Sequence, residues 1–575
     1  MKKITKKIVS IKIVCLCLLL TFKGCNLDEV FYRQVTPETY FTSRQTVLAF
    51  KNRPFTHFRW FMEHCRWRVQ ELTTDAFILP TRGIHWFDGG HFQRLHRHEW
   101  TVNENSIWEV WRGGTMGVAI TLQTKEILQE VDYLALGLTL EDRASHLMQL
   151  QTLKAYFYLH LLDAFGGVPL FTATTESPKP RSTARETFNH IEQLLLDAIP
   201  HLPVKTVLGA PEEGVIHRAA AATWLARLYF NAMVYIGEDR FADAARISQD
   251  ILNGVYGNYA LGATWYCVHS FTNNRSPELI LSTPSQQGRL HFNWFQGDFY
   301  HYNVRDALDQ VGVPGSGSNN GISLSPSRDL LGNLLPYRLG NPFETFHDLD
   351  VRKRPFLFLG DGRHEGMFLV GAQVNPRTGV PALGTVEYLG EPLYLVDKVG
   401  RFSQVGVVNA EGETPFPTIE SLRSSIADGE ENTGIRLMKV PQPNAAEQII
   451  RWNAHNPVIR LAEIYLMLAE CRMRAGDLEG AATLINTVRA RNFEGADPDP
   501  VTAANLNSYR MLDEWLIEFL GEGRRRTDLI RWGKFVTGPW WDFPGHGNTY
   551  RNLFPIPLRA IAGSGGLLEQ NPGYE

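Results

Sequence analysis

"IRLAEIYLMLAECRMRAGDLEGAATLINTVRAR", residues Ile459 to Arg491, decides the fold class. Apolar residues recur at three- and four-residue steps on both sides of Gly476-Asp477, which predicts two amphipathic helices joined by a tight turn. Alanines on the facing sides let two such helices approach closely.

The same plan stands earlier in the chain. "RAAAATWLARLYFNAMVYIGEDRFADAARISQDILNG" (Arg218 to Gly254) reads as helix, turn at Gly237–Asp239, helix. "SHLMQLQTLKAYFYLHLLDAFG" (Ser145 to Gly166) and "ETFNHIEQLLLDAIPHLP" (Glu186 to Pro203) are further amphipathic helices, stopped by glycine or proline. Hairpins of about 34 residues with this alanine pattern are tetratricopeptide-like, and stacked they make an α-solenoid. The expected fold is therefore mainly α, with such hairpins as scaffold. Between Tyr256 and His455 the texture changes: Gly, Pro, Asn and Ser are frequent, as in "GVPGSGSNNGISLSPS" (Gly312 to Ser327), and only short stretches such as "YLVDKV" alternate like strands. A loop-rich region this long inside a helical chain is where a binding surface is expected.

The chain has 575 residues, 44% hydrophobic and 21% charged, and a net charge of −4. That small charge offers no footing for a nucleic-acid partner held through phosphates. The N-terminus, "MKKITKK" followed by the apolar "IVCLCLLLTF", reads as a secretory signal, because ten apolar residues are too few to span a bilayer of about 20. Gly24-Cys25 at its end has the form of a bacterial lipobox, so Cys25 is the expected lipidated first residue of the mature chain. Cys65, Cys267 and Cys471 are widely separated and carry no C-x-x-C pair, which predicts buried thiols rather than a disulfide framework.

"LKAYFYLHLLDAFGGVPLF", "FLGEGRRRTDLIRWGKF" (Phe519 to Phe535) and the terminal "LFPIPLRAIAGSGGLLEQNPGYE" (Leu553 to Glu575), with the hairpins above, resemble the RagB/SusD family along nearly the whole mature chain. One position departs from the family pattern: Glu514 is followed by Trp515 rather than arginine. The resemblance implies a nutrient-binding lipoprotein of the outer membrane, held by lipid on Cys25. It also implies pairing with a SusC-like TonB-dependent transporter, to which a glycan, or in some members a peptide, is delivered. Asp28 and Glu29 resemble the signal that sends such lipoproteins to the cell surface. No cofactor and no bond chemistry are implied. The expected divisions are a signal at 1–24, a helical region at 25–255, a loop-rich ligand-binding insert at 256–455 and a closing helical region at 456–575.

Three motifs invite chemistry. In "EGRRRTDLIRWGK" the alternation of Glu518, Glu522 and Asp528 with Arg524, Arg525, Arg526 and Arg531 predicts internal ion pairs rather than an anion site. "HWFDGGHFQRLHRHEW" (His85 to Trp100) holds four histidines, but their spacing lacks the paired ligands of a zinc site. A glycosidase would need two carboxylates about 5 to 10 Å apart across a cleft, and nothing in the spacing of Asp75, Asp88 and Glu99 provides that. A saccharide platform needs only a flat ring and a few polar neighbours. Trp86, Phe87 and Asp88 before Gly89-Gly90 suit it, as does "FNWFQGDFYHY" with Trp294, Tyr300 and Tyr302. Core packing for these rings is the competing reading. Asp75, Asn319, Asn320 and Arg401 complete the expected ligand set. A glycan is the expected ligand, with peptide capture and a surface glycoside hydrolase as the alternatives.

Overall fold

The computed structural model describes residues 37–286, 298–301, 319–360, 363–375, 378–439 and 454–574. The signal at 1–24, Cys25, Trp294 and Tyr302 lie outside them. Helices dominate both ends of the chain. A long antiparallel pair, Asn105–Glu130 and Leu140–Phe165, is set by Thr139, whose hydroxyl caps the Asp142 N–H while Asp142 caps Thr139 in return. The pair sits unusually close, because Gly114 and Gly117 leave room that a Cβ would fill, 2.7 Å from Leu161 and 2.5 Å from Phe157. Helix Ala184–Ala198 packs against Leu140–Phe165.

The two hairpins expected from the sequence follow. Arg218–Phe230, a short turn of helix at Ala232–Ile236 and Phe241–Leu252 form the first, broken at Gly237 in the left-handed conformation. Ala219, Ala220, Ala221, Ala222 and Ala226 are fully buried where the helices meet. Leu461–Arg474 and Leu478–Arg489 form the second, its turn closed by Asp477 accepting from the Gly480 N–H at 2.9 Å. The hairpins meet along Phe241–Leu252 and Leu461–Arg474. No helix of the described residues is long and apolar enough to cross a membrane.

The Arg-rich segment pairs internally. Arg525 holds Asp75, Arg526 holds Asp163, and Arg531 holds Glu470 and Asp528, all with little exposure. Arg524 pairs with Asp528 and Glu463, and Glu518 collects Arg352, Arg460 and Arg491. Trp515, where the chain departs from the family pattern, is fully buried. Its indole N–H donates to Glu470 at 2.8 Å, and the Arg524 guanidinium lies 3.7 Å over its ring. The indole thus joins the ion-pair network.

The C-terminal strap closes over the long helices. Phe554 donates its N–H to the Ala164 carbonyl, Asn571 bridges the Phe165 and Phe554 carbonyls, and the Tyr574 hydroxyl accepts from the Trp100 indole at 2.9 Å. Trp100 is therefore a core anchor.

The irregular region contributes short antiparallel pairs rather than a sheet. Its ladders are Phe77–Ile78 with Ser323–Leu324, Leu279–Thr283 with Asn456–Arg460, Leu357–Gly360 with Arg363–Glu365, Phe368–Leu369 with Arg436–Leu437, and Gly371–Ala372 with Tyr394–Leu395. Of "YLVDKV" only the first two residues are strand. The Phe77, Phe368 and Tyr394 pairs share a second hydrophobic core with Trp67 and Phe92, while Ile280, Leu281 and Ile459 join the main helical core, so the loops rest on the scaffold. Cys65 and Cys471 are buried free thiols as expected; Cys267 is only half-buried, its sulfur 3.6 Å from the Ser276 hydroxyl.

Candidate functional site

The site is built around the tip of His85–Gly90. Trp86 (φ 61°), Asp88 (φ 43°), Gly89 and Gly90 all take left-handed backbone, which turns the chain sharply and pushes Phe87 outward to 55% exposure. Such a tip needs holding. Arg94 donates to the Gly89 carbonyl at 2.7 Å and to Glu104, and His91 bridges Glu104 and Ser106 at 2.6 and 2.7 Å. Burial alone would raise the Glu104 carboxyl, but the hydrogen bonds from His91 and Arg94 overcome it and hold it at about 2. Glu104 is therefore ionised at neutral pH.

Trp86 lies half-buried beneath the tip. Its indole donates to the Asn319 carbonyl at 2.9 Å, its edge meets Phe92, and its ring covers Gly321 so closely that a Cβ there would stand 2.9 Å away. Asn319 is itself oriented by donating to Asp298, which pairs with Arg68. Arg401 reaches the Gly83 carbonyl at 3.4 Å from the other side.

A second loop stands beside the first. Leu383, Val386 and Leu389 are exposed, and Glu387 approaches Gly83 within the reach of a single methyl group. Two successive carboxylates fix this loop. Glu431 accepts from the N–H groups of Thr385, Val386 and Tyr388, from the Thr385 hydroxyl and from His301. Glu430 accepts from the Tyr388 hydroxyl and from both the N–H and hydroxyl of Ser403. Burial opposes ionisation of Glu431, yet the hydrogen bonds from His301 and the loop N–H groups keep it at about 2. Arg82, buried, ties the loops to the floor through the Glu430 and Thr433 carbonyls at 2.7 and 2.8 Å.

Of the expected ligand residues, the structure brings together Trp86, Phe87, Asp88, Asn319 and Arg401. Three others are corrected by burial. Asp75 is 1% exposed with both oxygens held by Arg525 at 2.7 Å, so it serves the ion-pair network. Tyr300 is a ring of the second core. Asn320 is 1% exposed, left-handed, and spent on the Glu431 carbonyl and Arg436. Sequence reasoning missed Ile84, Leu389 and the Glu430–Glu431 clamp. "DGEENTG" (Asp428 to Gly434) has the composition of an exposed turn, and nothing local in it signals two buried acids.

The four histidines disperse. His91 serves Glu104, His96 meets the Trp541 carbonyl, His98 the Thr73 carbonyl, and His85 stands at the exposed tip. Among the described residues no cluster of three or more histidine, cysteine or acidic side chains forms a metal-binding group.

The chain therefore presents a tetratricopeptide-like helical scaffold carrying a rigid, aromatic, partly polar loop surface. Residues 422–574 match the SusD family. The starch-binding protein SusD of Bacteroides thetaiotaomicron is 26% identical over 517 residues, covering 88% of this chain and 84% of that protein. SusD-like protein P25 of Formosa agariphila is 34% identical over 128 residues, 20% of this chain and 24% of that one. Among solved structures, a SusD superfamily protein from Parabacteroides distasonis superposes with a TM-score of 0.64 at 16% identity, covering 94% of this chain and all of that one. Surface glycan-binding protein A from Bacteroides thetaiotaomicron, in complex with laminarihexaose, superposes at 0.61 with 16% identity over 92% of this chain and all of that one. The C-terminal segment thus matches the SusD family, the chain is similar to SusD along most of its length, and it shares the fold of the solved SusD superfamily structures.

Proposed function

We propose that this chain is a cell-surface lipoprotein that captures a glycan and delivers it to a SusC-like TonB-dependent transporter in the outer membrane, anchored by lipid on Cys25. The observation that carries the reading is Phe87, a large ring held out to solvent on a clamped left-handed tip between Trp86 and Asp88, with Arg401 bonded to Gly83 at the base of the same segment. A ring so placed offers its face to the C–H face of a sugar, while Asp88, Asn319 and Arg401 meet hydroxyls. The relatives named for what they bind are a starch-binding protein and a surface glycan-binding protein, which favours a glycan over a peptide.

Binding in this reading involves no bond cleavage and no cofactor. Glu430 and Glu431, the adjacent buried acids beneath the loops, are saturated with hydrogen bonds from the loops they hold and act as braces. Affinity electrophoresis of the mature chain, made soluble by Cys25→Ser, against a polysaccharide panel tests the reading. Retardation by a glycan, reduced in Phe87→Ala, is expected. Retardation by none, with binding of peptides instead, overturns it. Delivery is tested by co-purification of the lipidated chain with a transporter from outer membranes; consistent recovery without one overturns that part.

A further inference from the structure

The helical run from Arg53 to Glu71 leads into the Phe77–Ile78 ladder and on to the tip. On its inner side, against Leu159, Phe230 and the segment 519–531, lies a cavity of about 150 Å³. That is several times the roughly 30 Å³ share of one water, and below the roughly 300–1,000 Å³ of drug-sized ligand sites. It is too small for a saccharide chain. Its wall is charged, with six cationic and four acidic side chains among the described residues.

Five of the cations are matched by carboxylates. Arg227 and Arg524 share Glu463, Arg531 holds Glu470 and Asp528, and Arg460 and Lys439 hold Glu522. The other two acids of the wall are matched in turn, Glu63 by Arg59 and Asp163 by Arg526. Arg66 is the exception. Its guanidinium donates to the Gly523 carbonyl and lies beside the Tyr156 hydroxyl, both uncharged, and no carboxylate of the described residues forms an ion pair with it. Glu71 and Asp163 act on it only from farther off. Glu71 accepts from the Arg524 N–H at 3.0 Å, and burial raises it to about 7, so it carries only part of a charge at neutral pH. Asp163 already answers Arg526, Gln70 and Tyr235.

Burial, with Arg227 nearby, pushes Arg66 below its usual range. An arginine nevertheless keeps its proton in a protein, and a buried charge left unpaired is strongly destabilising. Both Arg66 and Arg227 line the cavity and keep accessible surface, although Trp67, Leu159 and Phe230 around them are core. Arg227 gives Nε and Nη2 to Glu463 at 2.6 Å, leaving Nη1 for another acceptor. Two guanidiniums bordering one small space suit an oxyanion, whose several oxygens accept from both while its charge answers Arg66. We propose that this cavity binds one small inorganic oxyanion, of the phosphate or sulfate kind, through Arg66 and Arg227. The ion completes the charge balance where the Trp67 indole, donating to the Gly521 carbonyl at 2.8 Å, joins the helical run to the segment 519–531. It is a ligand of the scaffold and does not depend on the glycan reading.

The test uses the mature chain made soluble by Cys25→Ser, dialysed into Tris-gluconate and melted with increasing potassium phosphate, sulfate or chloride at fixed ionic strength. At least one of the two oxyanions is expected to raise the melting temperature by a few degrees in the logarithmic manner of binding to one site. Arg66→Met is expected to remove that shift, which separates it from general salt effects common to both proteins. In gluconate the variant is expected to melt no lower than wild type, because an unpaired buried charge gives way to an apolar chain. A variant that melts lower than wild type by the same amount in every buffer overturns the inference. Equilibrium dialysis of wild type with radiolabelled phosphate, and with radiolabelled sulfate, needs no variant: saturable uptake of one ion per chain is expected from at least one of them. No saturable uptake, a shift produced by chloride alone, or a shift retained in Arg66→Met also overturns it.

Discussion

Replacing Phe87 by alanine isolates the contribution of the exposed ring. The side chain is 55% exposed, and no part of the tip's hydrogen bonding runs through it, since Phe87 contributes only its carbonyl to the Gly90 N–H. A phenylalanine ring buries about 150–250 Å² when fully covered, so roughly 110 Å² is free here, and a sugar stacked on one face covers about half of that. At about 25 cal/mol per Å² the lost burial is about 1.4 kcal/mol, or a tenfold rise in Kd. Folding stability should be untouched, with melting temperature held within about 1 °C. Calorimetric titration with the glycan identified by affinity electrophoresis reads Kd, and a thermal melt reads stability. An unchanged Kd refutes the stacking argument. A drop in melting temperature of several degrees would mean that the ring supports the loop and refute the division between tip and scaffold.

Gly321→Ala tests the same surface from beneath: a Cβ 2.9 Å from the Trp86 ring must displace the indole, so glycan affinity should fall severalfold although residue 321 is itself buried under the ring. Unchanged affinity would show that Trp86 does not position the site. Asp75→Asn leaves the buried Arg525 guanidinium without its counter-charge, which should cost about 3–5 kcal/mol. A melting temperature equal to wild type would show that the pair is not needed. Glu104 and Glu431, both held at about 2, have folded-state values below the unfolded value of about 4.3. Their stabilisation is therefore full above that value and is lost as pH falls from about 4.3 towards 2, so the melting temperature should decline in that acid window. Glu431→Gln should move the decline; a profile identical to wild type counts against the clamp.

The scaffold was legible because helical periodicity is local. Gly476-Asp477 and Gly237 mark turns by their own chemistry, and the facing alanines announce close approach. The alternation of acids with Arg524 to Arg531 was legible for the same reason, although only the fold supplies partners such as Asp75, which is 450 residues away in sequence. The exposed tip was legible where paired glycines follow an aromatic pair, as at Trp86 to Gly90; the ligand set drawn from it is a proposal. That set failed at Asp75, Asn320 and Tyr300, because their burial is imposed by distant segments. An asparagine between glycine-rich neighbours reads as a turn, yet here Arg436 and the Glu431 carbonyl consume its amide. The loop from Leu383 to Leu389 was not legible at all, since its position depends on two acids some 40 residues further on.

Those acids explain how loops without a sheet can still make a defined surface. A flexible loop pays for ordering when a ligand arrives, about 0.5–1.5 kcal/mol for each side chain immobilised, and that cost is taken from affinity. Glu431 accepts five hydrogen bonds, and Glu104 gathers His91 and Arg94, so both loops are ordered before any ligand is present. The left-handed residues at the tip are then sustained by these charge-assisted bonds rather than by the ligand. A surface prepared in this way can bind through few contacts. One exposed ring and a handful of hydroxyl partners would give an interaction that is selective yet readily released, as the proposed delivery role requires.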